Sequence, residues 1–151
     1  MIGQAALIPN PALARFAVLI GLWRTEGFHS MIPGVTLRGQ TSFEWAEGGA
    51  FVVMRSEIDD AQVPNGVCFI GSDDDLGELF MLYFDERGVS RKYDVSMRDN
   101  VFRFWRDAPS FRQRFAFTII GDGSTMQGKG ELSRDNSTWD GDLELTCVRD
   151  G

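Results

Sequence analysis

The chain of 151 residues is long enough to bury one core, and its hydrophobic (43%) and charged (25%) fractions are those of a globular protein. Its formal charge of -7 argues against a nucleic-acid surface, since the basic residues from Arg103 to Arg114 are flanked by acidic ones. No apolar stretch approaches the roughly 20 residues that span a bilayer, and no basic segment leads into an apolar run at the start. The expectation is one domain over 1–151, with no membrane span and a cytoplasmic location.

Asn10-Pro11 starts a helix over about 11–20, because Asn caps free amides and Pro suits the first turn. At helical spacing Leu13, Phe16, Ala17 and Ile20 form one stripe, and Gly21 closes the helix. From Leu22 the period changes to two. In the segment 36–46, Leu37, Gly39, Thr41, Phe43 and Trp45 share a face, with Arg38, Gln40, Ser42 and Glu44 on the other. Further strands are expected at 50–58, 66–71, 79–84, 89–97, 101–106, 111–120, 124–133 and 138–148. Between them stand turn-forming residues such as Glu86-Arg87-Gly88, Asp99-Asn100, Asp122-Gly123 and Asp135-Asn136. In the last strand Trp139, Gly141, Leu143, Leu145 and Cys147 alternate with Asp140, Asp142, Glu144 and Thr146.

About ten strands joined by short links make an antiparallel meander, and closing it removes its exposed edges. The fold class is therefore all-β: an up-and-down barrel with a short N-terminal helix across one end. Cys68 and Cys147 lie in apolar strands and read as reduced small hydrophobes, with a disulfide as the alternative.

Gly21-Leu22-Trp23 is a G-x-W motif opening the first strand directly after the helix, and Arg149 follows the last strand. This arrangement resembles the calycin superfamily of lipocalins and fatty-acid-binding proteins. The resemblance implies that Trp23 packs across the closed end against Arg149. The strand count is nearer to fatty-acid-binding proteins and nitrobindins than to eight-stranded lipocalins. The linker 30–35 is too short for the helical lid of fatty-acid-binding proteins. The chain thus most resembles nitrobindin-like barrels and the uncharacterised bacterial lipocalin-like domains related to them. Nitrobindins hold haem through a His near the end of the chain. The single His here is His29, at the end of the first strand, so the haem-bearing position is not matched and no cofactor is expected.

A calycin-like interior is where a ligand would lie. The alternating patterns nominate Trp45, Met54 and Tyr93, together with Trp105, Phe115 and Phe117, since aromatic rings offer large apolar faces. Arg103 shares a face with Trp105, and Arg91 shares one with Tyr93; an inward Arg could grip a ligand carboxylate. Either role competes with a plainer one, the aromatics as filling and the arginines in solvent. His29 lacks companions at metal-ligand spacing and suits a surface or rim position. Asp73-Asp74-Asp75 lacks the alternation of a calcium loop and reads as a solvated turn. The serines lack a nucleophile-elbow context, and no catalytic residue is nominated. The expected function is non-catalytic binding of a small hydrophobic or amphipathic molecule. The alternatives are a small enzyme with His29 as acid or base, and a filled barrel whose Phe-rich outer surface pairs with another subunit in a homodimer.

Overall fold

The computed structural model describes residues 8–150. A 3₁₀ helix, Pro11–Leu19, leads into ten strands. These are β1 (Gly21–His29), β2 (Leu37–Ala46), β3 (Phe51–Ile58), β4 (Gly66–Asp73), β5 (Glu78–Asp85), β6 (Ser90–Arg98), β7 (Val101–Asp107), β8 (Arg112–Ile120), β9 (Thr125–Ser133) and β10 (Asp140–Arg149). Each strand pairs antiparallel with its neighbours in sequence, and β10 pairs with β1 to close the barrel. No helix among the described residues is long and apolar enough to cross a membrane.

The helix forms the lid of one end. The Asn10 side chain accepts the Ala12 N–H at 3.0 Å, and Pro11 occupies the first turn. A 3₁₀ helix repeats every three residues, so Leu13, Phe16 and Leu19 line one side and are fully buried. The expected α-helical stripe is corrected accordingly: Ala17 is exposed, and Leu19 takes the inward place. The cause is tertiary. The last helical carbonyls are taken by the barrel, with Trp23 Nε1 donating to Leu19 O at 2.9 Å and Arg149 donating to Val18 O and Ile20 O.

The same Arg149 stacks over the Trp23 ring at 4.2 Å and donates to Gly123 O at 3.3 Å. The closed end thus joins the helix, the first strand and the last. Beneath it an aromatic core fills the barrel. Phe102 meets Phe16 edge-on at 5.5 Å, Phe43 edge-on at 6.1 Å and Phe117 stacked at 6.2 Å.

Alternating burial fixes which residues face in. In β1 these are Trp23, Thr25 and Gly27, and in β6 they are Tyr93, Val95 and Met97. A two-residue turn at Asp99 and Asn100, with φ of 55° and 61°, sets Met97 opposite Phe102. In β10 a register shift between Gly141 and Glu144 breaks the expected alternation, so Gly141 is exposed while Leu145 and Cys147 face in. Cys68 and Cys147 are both free buried thiols.

Candidate functional site

At the end away from the helix the inward-facing side chains are less deeply buried. Phe104, Phe115 and Leu143 face inward and pack on the core, yet they remain only half-buried. Solvent therefore reaches these side chains at this end, the mouth of the barrel. Its wall over β5–β8 is aromatic: Phe104 stacks on Phe115 at 5.3 Å, and Tyr93 meets Phe104 edge-on at 5.3 Å and Tyr83 edge-on at 6.3 Å.

Polar groups cap this wall at the rim. The Gln113 side-chain carbonyl accepts from the Tyr93 hydroxyl and from Arg91 Nη1, both at 3.0 Å, across the intervening β7. Arg91 lies over the Phe111 ring at 5.3 Å, and Arg106 over the Tyr93 ring at 5.9 Å. Neither guanidinium has a carboxylate within 4.0 Å among the described residues. Both are half-buried, in a chain whose net charge is -7. Uncompensated positive charge at a partly desolvated site favours an anion.

At the β5–β6 turn of the rim the charge is paired. Tyr83 donates to Asp85 Oδ2 at 2.6 Å, and Arg87 grips the same oxygen through Nη2 at 2.7 Å and Nε at 3.1 Å. The hydrogen bonds from Arg87 hold the Asp85 carboxyl well below the usual range, against its burial. Burial, then the bond to Asp85, pushes the Tyr83 phenol up; burial does the same for Tyr93. Both phenols are therefore neutral donors at ordinary pH. Burial pushes the Cys68 thiol up to about 12, which leaves no thiolate nucleophile there.

Of the residues nominated from the sequence, the structure brings Tyr93 and Phe115 together in the mouth. Phe117 lies below them in the packed floor, 1% exposed, and Met54 faces in from β3, 6% exposed. Three nominations are corrected. Arg103 and Trp105 lie on the outer face of β7, because Phe102, Phe104 and Arg106 occupy the inward phase. Trp45 stands at the helix end of β2, opposite the mouth, and is 38% exposed. Sequence reading missed Arg106, Gln113 and Phe104. The Asp99-Asn100 turn was the available signal: a two-residue hairpin sets Met97 beside Phe102, so both share a face.

His29 is held by the chain through both ring nitrogens. Nδ1 accepts the Met31 N–H at 3.0 Å, and Nε2 donates to Asp142 Oδ1 at 2.8 Å. No imidazole nitrogen is left to ligate a haem iron, so the residue does not fit the group that the nitrobindin resemblance brings with it. Among the described residues no set of three His, Cys, Asp or Glu is placed to hold a metal ion. Asp73 turns its own loop, accepting the N–H groups of Asp75 and Leu76.

A broad external groove of about 1010 Å³ runs along the outer faces of β1 and β2. Its charges include Arg38 and Glu26, which face each other at 3.7 Å and are largely exposed, so it offers no desolvated binding surface.

No protein family model matches the sequence, and no curated protein matches it. The fold is similar to the crystal structure of Rv2717c from M. tuberculosis, with a TM-score of 0.62 and 13% sequence identity. The match covers 93% of this chain and 98% of that one, and at this identity it shows a shared barrel fold alone.

Proposed function

We propose that this is a calycin-like, non-catalytic binding barrel that holds a small amphipathic molecule by an anionic end. The observation that carries the reading is the pair Arg91 and Arg106, half-buried at the mouth without a carboxylate partner, above an aromatic wall. The anion would sit against these two guanidiniums and the Gln113 amide, while the apolar part lies on Phe104, Phe115 and Leu143. Covering about 150 Å² of apolar surface supplies roughly 4 kcal/mol before the cost of association. The charged hydrogen bonds supply selectivity, about 1.5–3 kcal/mol each when they exclude water.

Two probes of equal length test this by calorimetry: dodecanoate and dodecanol. The wild-type protein should bind the carboxylate at least about tenfold tighter, the equivalent of roughly 1.4 kcal/mol. In the double variant Arg91→Gln, Arg106→Gln that preference should vanish, while Trp105→Ala, on the outer face, should bind as wild type does. Equal affinity for the two probes in wild-type protein would overturn the reading.

A further inference from the structure

How far the mouth reaches into the barrel limits what can lie in it. Along β7 the inward side chains are Arg106, Phe104 and Phe102, and along β8 they are Gln113, Phe115 and Phe117. Register pairs Arg106 with Gln113, Phe104 with Phe115 and Phe102 with Phe117. Exposure ends abruptly between the second pair and the third. Phe104 and Phe115 are half-buried, whereas Phe102 is 0% and Phe117 1% exposed. On β5 the pattern repeats, with Tyr83 half-buried and Met81, the next inward residue, fully enclosed.

Phe102 is fixed in this floor by Phe16 and Phe43 edge-on and by Phe117 stacked, and no space wide enough for water adjoins it. An interior packed in this way admits a flexible chain only at the cost of overpacking. The apolar part of a ligand anchored at the rim therefore has one layer of side chains to lie against, about 7 Å by the rise of two strand residues. That depth suits a single ring and falls short of a long alkyl chain.

The layer is also flat. Gly128 and Gly130 put no side chain on the inner face of β9, and Phe115 lies down in the space they leave. Its Cζ stands 2.9 Å from where a Cβ of Gly128 would be, and its Cδ2 stands 2.8 Å from that of Gly130. Phe104 lies nearly parallel to it, with 15° between the ring planes. A wall of this shape stacks on another flat ring better than on a puckered one. We infer, on the anion-binding reading proposed above, that the mouth takes a compact planar anion, an arenecarboxylate, rather than a long-chain acid.

Protein-observed NMR titrations with two sets of probes test this. Benzoate and cyclohexanecarboxylate carry the same charge and number of carbons, but only the first is flat. Benzoate should bind about fivefold tighter through stacking, the reverse of the order that apolar burial alone would give. Phe115→Leu should abolish that difference. Octanoate and dodecanoate should bind within about threefold of each other, whereas burying the four extra methylenes would separate them about 200-fold. Cyclohexanecarboxylate binding as tightly as benzoate, or affinity that climbs with chain length, would overturn the inference. Benzyl alcohol distinguishes the two levels of failure. If it binds as tightly as benzoate, the anion site itself is lost; a carboxylate preference with affinity rising along the alkanoates keeps the anion site and removes the compact ligand.

Discussion

Gly27 and Gly39 show how little room the barrel leaves where its strands bend most closely together. A Cβ at Gly27 would stand 1.9 Å from Glu144 O, and one at Gly39 would stand 1.9 Å from Glu57 O. Neither residue has a positive φ, so the requirement is for space rather than for backbone freedom. The obstruction is a backbone oxygen of the adjoining strand, which moves only if the ladder moves. Gly27→Ala should therefore cost about 3 kcal/mol in urea unfolding, at the upper end of ordinary overpacking. Gly141→Ala meets nothing within 4 Å and should change stability by less than about 0.5 kcal/mol. Similar costs at both positions would mean that the Gly27 site relaxes freely. A different economy holds at Gly128 and Gly130, where the Phe115 ring fills the volume that a side chain would take.

Elements show which parts of the fold were legible in the sequence. Strands and their order were legible because period-two alternation and turn chemistry are local properties, as in the run from Leu37 to Phe43. The helix was legible in place but not in kind. Its winding is set by Trp23 and Arg149, which take the carbonyls of Val18, Leu19 and Ile20 from the paired strands β1 and β10. Winding has a measurable consequence. Leu19→Ala should cost about 2–5 kcal/mol by opening a cavity, whereas Ala17→Ser should be nearly neutral. An α-helical lid would give Ala17 the larger effect. The phase of β7 was obscured for another reason: Val101-Phe102-Arg103-Phe104-Trp105-Arg106 is apolar on both faces, so alternation alone does not choose. Trp105 set the reading one residue out of phase, and the inward Arg106 was passed over with it.

For the molecule as a whole, the rim triad of Tyr83, Asp85 and Arg87 is one of the groups through which stability responds to pH. Asp85 has no exposed side-chain surface, and its bonds from Arg87 and Tyr83 favour the ionised form. Its folded pKa is therefore depressed, whereas in the unfolded chain it titrates near the ordinary value of about 3.9. The resulting stabilisation is fully present above that value and is lost as pH falls through it toward the folded pKa. Tyr83 acts at the opposite limit. Its raised pKa contributes below the unfolded phenol value of about 10, and the contribution is lost as pH rises beyond it. Between these limits the triad's contribution is level. Urea midpoints at pH 6 and pH 3 separate this group from general acid destabilisation when wild type is compared with Asp85→Asn. The variant should be weaker at pH 6, because Arg87 and Tyr83 lose their carboxylate. It should then lose about 1–2 kcal/mol less than wild type on going to pH 3, a figure kept modest because the Arg87 head is half in solvent. Parallel losses in the two proteins would place the acid sensitivity elsewhere. If the difference appears, the triad is a stabilising clasp on the β5–β6 turn.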